Sequence, residues 1–381
     1  MTIGILKETA DGEQRVAVVP AHLSSLTKVG ASVLIQAGAG LAAGYPDKHY
    51  QDKGAEIAAD AAEVVSKADV LLMVQSGPAR ADLADSLKEG QTLIGMMEPY
   101  QPHDVFKTFA AKKVTALSME LMPRITRAQS MDVLSSMANL AGYKAGILAA
   151  DGLPKMFPMM MTAAGTLTPA KVFVVGVGVA GLQAIATTKR LGAVVSAYDI
   201  RPAVKEQVLS LGAKFVEMEL DNEAAEDTGG YAREMDEEFY RKQREMMMHV
   251  IAESDVVITT AAIPGKKSPV LVTTEMVEAM APGSVIIDLA VERGGNVEPS
   301  EAGKTVDHKG VKIVGPVNIA SQLSFHASQL YSKNIITYLL ALLDKESSEL
   351  KLDFEDEIVQ ATVVTHGGEV PNEKTRGWLG L

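Results

Sequence analysis

Short β-branched runs alternate with amphipathic stretches along almost the whole chain, and few architectures accept that alternation. The runs ILKE, SVLIQAG, DVLLMVQ, QTLIGMM and KVTALSM are followed by KVFVVGVG, VVSAYDI, KFVEMEL, DVVITTA, SVIIDLAV and KIVGPV. Strands interleaved with helical patterns signal parallel sheets covered by helices on both faces. With 381 residues the chain holds two or three domains of roughly 100–200 residues each. The series breaks over 121–170, where a polar loop, a helical stretch and a Met-rich segment follow one another as a bridge between domains. A second long helical pattern, ASQLSFHASQLYSKNIITYLLALLDK, places apolar residues at Leu323, Leu330, Ile335, Leu339, Leu342 and Leu343 and carries the chain back. The expected fold is α/β, with two doubly wound parallel-sheet domains. The first spans 1–135 plus 322–381, completed by the C-terminal segment, and the second spans 136–321.

Composition narrows the chemistry. There is no Cys, which removes disulfide scaffolds, thiolate metal sites and cysteine nucleophiles together. A net charge of −12 gives no basic field to gather phosphates, so neither nucleic acid nor an anionic lipid surface is expected as a partner. The uncharged apolar stretch Val172 to Thr188 stops short of the roughly 20 apolar residues that a membrane span needs. The Met1 start enters a strand-like run without the basic and long apolar regions of a signal peptide, and a cytoplasmic chain without direct membrane insertion is expected. Met159–Met161 and Met246–Met248 read as gap-filling core or a helix stripe. The acid-rich segment from Glu217 to Glu238 reads either as a solvated face or as a mobile flap over a ligand.

The most specific local pattern is Lys171-Val-Phe-Val-Val-Gly176-Val-Gly178-Val-Ala-Gly181, an apolar strand running into a G-x-G-x-x-G turn and then the helical LQAIATTKRLG. Gly176 permits the tight turn, Gly178 lets backbone approach a pyrophosphate, and Gly181 allows close helix–strand packing. The free N–H groups of the helix N-terminus then face the phosphates. The next strand, VVSAYDI, ends in Asp199, whose carboxylate can accept both ribose hydroxyls. This is a Rossmann-like dinucleotide fingerprint. Asp199 repels a 2′-phosphate and favours NAD over NADP, although Arg201 stands close enough to accept one.

Five segments carry a family resemblance: MELMPRITRAQSMD at 119–132, MMMTAAGTLTPAKVFVVGVGVAGLQAIATTKRLGA at 159–193, GGYAREM at 229–235, TTAAIPGK at 259–266 and PGSVIIDLAVERGGN at 282–296. The chain resembles the NAD(H)-binding domain I of the proton-translocating NAD(P) transhydrogenases, over essentially its whole length. The resemblance implies that Gln129 orients the nicotinamide and its ribose, with Arg124 and Asp132 holding its loop. It also implies that Ser130, Met131, Val179, Asp199, Ile200, Arg201, Gly230, Gln243 and Ala262 line the NAD site, with Tyr231 on a closing flap. From spacing alone, Arg124, Gln129 and Asp132 near a helix start read as a cap with a surface ion pair. Implied further are a homodimer, an NADP(H)-binding partner subunit, a membrane-spanning subunit that moves protons, and a peripheral place at the inner membrane through those partners.

The alanine dehydrogenases share the opening pattern, here Lys7-Glu8 and Glu13-Gln-Arg15-Val-Ala-Val-Val-Pro20, and form the alternative. Arg15 matches the residue that grips the substrate carboxylate in that family. Gln75, in LLMVQSGP, stands at the position of their catalytic Lys, and LIGMMEPY lacks their His. Oxidising an amine requires a base for the departing proton, whereas hydride exchange between two nicotinamides requires orientation instead. Glu292 reads as a hydrogen-bonded loop acid. His22, His49, His103, His249, His308, His326 and His366 are scattered singly, and no metal site is expected.

Overall fold

The computed structural model describes residues 1–217, 237–344, 347 and 349–380. The chain divides into two compact units, Met1–Met137 with Ala320–Leu381 and Ala138–Ile319. The first unit opens with six strands in chain order: β1 (Thr2–Ile5), β2 (Ser32–Gln36), β3 (Glu56–Ala58), β4 (Val70–Gln75), β5 (Thr92–Met96) and β6 (Thr115–Ser118). All pair in parallel. Short helices such as Ala61–Lys67 and Asp104–Ala111 link them, the former capped by the Asp60 carboxylate on the Glu63 N–H at 2.9 Å.

The second unit begins within the long helix Val133–Gly152. A two-stranded hairpin follows, β7 (Met160–Thr162) and β8 (Gly165–Leu167), antiparallel and exposed along its whole length. The sequence reading of Met159–Met161 as core is therefore corrected: Met159 is 59% and Met161 76% exposed. A two-stranded ribbon has only its own backbone to pair with, so these side chains face outward. Met247, in the helix Glu237–Ala252, is core as expected.

The second sheet holds β9 (Lys171–Val175), β10 (Val194–Tyr198), β11 (Lys214–Phe215), β12 (Val256–Thr259), β13 (Val285–Asp288), β14 (Thr305–His308) and β15 (Val311–Val314), in the order β11-β10-β9-β12-β13-β15-β14. Only β14 runs antiparallel among these. Both faces are covered. Val172 and Val174 join a cluster with Ala184 and Ile185 of the helix Val179–Arg190, while Phe173 and Val175 point the other way to Met247 and Ile251. The strand order reverses between β9 and β12, which opens a crevice at their carboxyl ends. Gly142 and Gly146 let the helix Val133–Gly152 lie close on the fingerprint helix: a Cβ at 142 would overlap the Ala180 carbonyl, and one at 146 would come to 2.9 Å from Thr187 Cγ2.

The chain then returns to the first unit through the helix Ser324–Ala341, and β16 (Val363–Thr365) adds antiparallel to β6. The first sheet reads β16-β6-β5-β4-β1-β2-β3, so the C-terminal segment completes the first domain. Residues 14–19 form no strand, and serines of the returning segment accept their N–H groups. Gln14 donates to Ser321 Oγ (2.7 Å), Val16 to Ser328 Oγ (3.0 Å) and Val19 to Ser332 Oγ (3.1 Å). The fold class expected from the sequence is the one observed.

Candidate functional site

The glycine turn leaves β9 where the crevice opens. Gly176 takes φ +92°, and its N–H donates to the Tyr198 carbonyl at 2.9 Å. A side chain there would meet Thr260 Oγ1 at 2.9 Å and Ala261 N at 3.0 Å. Gly181, in the first turn of the helix, lies so close to the strand end that a Cβ would overlap the Gly176 carbonyl oxygen. Gly178 differs: it is the extended N-cap of the helix, and a Cβ on it would have nothing within 4 Å. It supplies no capping side chain, which leaves the first-turn N–H groups facing that open side. Val179, half-buried, starts the helix.

Asp199 follows β10 and is 9% exposed. Its Oδ2 accepts from the Val177 N–H (2.7 Å) and from Arg201 Nη2 (2.9 Å). Its Oδ1 accepts from the backbone N and the Nε of Arg201, both at 2.9 Å. The guanidinium forks onto the carboxylate, and the roughly four acceptor positions of the carboxylate are all engaged. Ile200 between them is half-buried. Gln243, 5% exposed, donates from Nε2 to the Tyr198 hydroxyl at 3.1 Å, so its side chain braces the strand that carries Asp199.

The loop after β12 completes the group. Thr260 Oγ1 donates to the Gly176 carbonyl at 2.9 Å, and Ala262 is exposed two residues on. The structure thus brings the Gly176–Gly181 turn, Asp199 to Arg201 and Thr260 to Ala262 to the carboxyl ends of three adjacent strands. Gly230 and Tyr231 lie outside the described residues, as does most of the acid-rich segment. Glu292 accepts from the Asn318 N–H at 3.2 Å, the loop acid that was expected.

In the first unit, Gln129, Ser130 and Met131 belong to the short turn Thr126–Met131. Gln129 and Ser130 are exposed, Met131 is buried, and the Ser130 carbonyl accepts from Asn334 Nδ2 at 2.9 Å. Asp132 caps the helix that follows, accepting from the Ser135 N–H (2.9 Å) and hydroxyl (2.6 Å). Arg124 is exposed at the head of this segment. The ion pair that ties the turn down is one the sequence reading passed over: both arms of Arg127 reach Asp356 at 2.7 Å, across 229 residues. That contact holds the Asp356 carboxyl below the usual carboxylate range.

Buried charges, marked in the opening pattern but without their pairing, sit about the strand-order reversal of the first sheet between β1 and β4, with Glu120 further along at the end of β5. Glu8, just past β1, accepts from the Val74 N–H (2.7 Å) and the Gln75 N–H (3.1 Å). Burial pushes its carboxyl up to about 7. Arg15 and Glu13 are closed on each other in a fork at 2.7 and 2.6 Å, and Gln75 Nε2 reaches the same carboxylate at 3.3 Å. Glu120 accepts from the N–H groups of Met97 (2.7 Å) and Glu98 (2.8 Å), and burial pushes it also up to about 7. The opening pattern and Gln75 marked the residues about Arg15 in the sequence; what it did not show is which of them pair. The carboxylate that Arg15 grips is the chain's own.

Two family descriptions match: "Alanine dehydrogenase/PNT, N-terminal domain" over residues 4–141 and "Alanine dehydrogenase/PNT, C-terminal domain" over residues 145–373. An NAD(P) transhydrogenase subunit alpha polypeptide of Rhodospirillum rubrum is 49% identical, covering 99% of each chain. The solved transhydrogenase of Sinorhizobium meliloti superposes with a TM-score of 0.88 at 48% identity, covering 97% of this chain and 100% of that one. The alanine dehydrogenase of Methanococcus maripaludis is 28% identical over 91% of this chain and 88% of its own. The gap between the two kinds of relative falls on the side that Gln75 and the His-free LIGMMEPY stretch already favoured, and the chain belongs to the alanine dehydrogenase/PNT family, with the NAD(P) transhydrogenase alpha subunits.

Proposed function

We propose that this chain is the NAD(H)-binding subunit of a proton-translocating NAD(P) transhydrogenase, passing hydride from NADH to NADP⁺ held by a partner subunit. The observation that carries the reading is the contrast between the glycines: Gly176 and Gly181 are closed by packing, while Gly178 is open beside free helix N–H groups. A pyrophosphate fits such a cradle. The adenosine ribose lies toward Asp199, where its hydroxyls exchange with the Arg201 guanidinium. Val179, Ile200 and Ala262 flank the dinucleotide, and Gln243 supports it through Tyr198. From the first unit, Gln129 orients the nicotinamide, with Ser130 and Met131 beside it and Arg124 and Asp132 fixing the loop. The family resemblance adds Gly230 to the NAD site and Tyr231 to a closing flap, both outside the described residues.

Direct transfer needs the two nicotinamide C4 atoms at roughly 3–3.5 Å, so an NADP(H)-binding subunit docks here. Proton movement then belongs to a membrane-spanning partner, and the chain sits at the cytoplasmic side of the inner membrane through these partners. Among the described residues, no helix is long and apolar enough to cross a membrane. The exposed methionine hairpin supports self-association as a homodimer.

The test is to mix the chain with an NADP-binding transhydrogenase subunit and follow hydride exchange between NADH and an NADP⁺ analogue. Exchange is expected with the partner, and none with alanine and NAD⁺ on the isolated chain. Turnover of alanine would overturn the reading in favour of a dehydrogenase. NADH binding without exchange would reduce the chain to a regulatory nucleotide sensor.

A further inference from the structure

We propose that Asn296 is a positioning residue for hydride transfer, acting through the backbone of Ala261. The assignment rests on the nucleotide reading above. With Asp199 taking the adenosine ribose beside β10, the nicotinamide half falls across the glycine turn, at the end of β12. There the Thr260 N–H still reaches the Val175 carbonyl at 2.9 Å, as in the sheet. At the next residue, Asn296 stands in for a neighbouring strand. Its Oδ1 accepts from the Ala261 N–H at 2.9 Å, and its Nδ2 donates to the carbonyls of Ala261 and Pro269, both at 2.8 Å.

Asn296 is itself fixed from behind. Its N–H donates to the Asp288 carboxylate at 3.1 and 3.2 Å. Asp288, fully buried, also accepts from the Thr259 hydroxyl (3.0 Å) and the N–H groups of Ala290 (3.0 Å) and Val297 (3.2 Å). A buried carboxylate held by that many donors makes a rigid anchor. Gly295, at φ +78°, lets the chain close over it, because a Cβ there would come to 2.7 Å from Asp288 Oδ2. Thr260 meanwhile ties the segment to the Gly176 carbonyl. The loop bearing Ala262 is therefore clamped from both flanks.

Asn296 has no exposed surface, so it acts on the nicotinamide only through the segment it holds. The adenosine contacts lie at β10, beyond β9 from this clamp, which meets the glycine turn at Gly176 through Thr260 and not at the open Gly178. Loosening the clamp should thus misplace the reacting ring while most binding is kept, and a displacement of about 1 Å can cost 10²-fold in rate.

The experiment measures single-turnover hydride transfer in the complex with an NADP-binding subunit, and ADP-ribose affinity, for the unmodified chain, Asn296→Ala and Asn296→Asp. ADP-ribose lacks nicotinamide and reports only on the anchoring half. Transfer is expected to fall at least about tenfold in both variants, with ADP-ribose affinity within about threefold. Parallel losses in both would overturn the assignment as merely structural, and so would unchanged transfer. Should either variant fail to fold, hydrogen exchange on the unmodified chain decides: an Ala261 amide that exchanges like a free loop sinks the clamp. Asp199→Asn separates the two layers, because unchanged NADH affinity there would remove the nucleotide reading itself.

Discussion

At the residue scale, Asp199 and Arg201 carry the sharpest expectations. On the proposed reading the guanidinium competes with ribose hydroxyls for the Asp199 carboxylate, so Arg201→Ala should tighten NADH binding by a few-fold in a fluorescence titration. A weaker complex would mean that the guanidinium contacts the nucleotide instead. Asp199→Ala should weaken NADH at least about tenfold, the loss of hydrogen bonds to a charged group being worth about 1.5–3 kcal/mol. The two glycines three residues apart should fail differently. Gly181→Ala forces a collision with the Gly176 carbonyl and should cost about 2–3 kcal/mol or more in thermal unfolding. Gly178→Ala has room and should fold with unchanged Tm, while losing NADH affinity, because on the proposed reading its methyl would stand in the path of the pyrophosphate. Equal effects of the two substitutions on Tm would contradict this division.

At the element scale, legibility followed contact range. The strand runs were readable because a strand covered by helices on both faces must be apolar along its length, as Val172 to Val175 are. The glycine turn was readable because its constraints are local: one positive φ, one close approach and one open cap, within six residues. What escaped was long-range. Asn296 meets Ala261 across 35 residues, and Arg127 meets Asp356 across 229, and neither leaves any periodicity in the sequence. The Glu13–Arg15 fork escaped for another reason: the motif is local, but which carboxylate a buried guanidinium holds depends on the packing around it. The methionine hairpin was misread because composition does not distinguish core from an exposed apolar ribbon. If that ribbon joins two copies, Met159→Lys with Met161→Lys should shift sedimentation from dimer to monomer and leave NADH affinity within about twofold. A dimer that survives would place the interface elsewhere.

At the scale of the whole molecule, the buried acids of the first unit shape the response to pH. Glu8 and Glu120 are pushed from 4.5 to about 7 by burial, so between those values the folded chain binds more protons than the unfolded one. Their contribution to stability is therefore full below about pH 4.5 and is lost as pH rises to about 7, levelling above it. Thermal unfolding should show Tm falling across that window by a few degrees, with a shallower slope in Glu8→Gln. Identical slopes in the two forms would exclude Glu8 as a source. The serine contacts between residues 14–19 and the returning helix have a consequence in time. Gln14, Val16 and Val19 wait for partners more than 300 positions later in the chain. At the roughly 5–20 residues per second of synthesis, that is about 15–60 s on the ribosome. The nucleotide domain, unbroken in sequence, has all its strands before then. It can close first, while the half-made first domain depends on residues made later, from 320 on, to hide its apolar sheet.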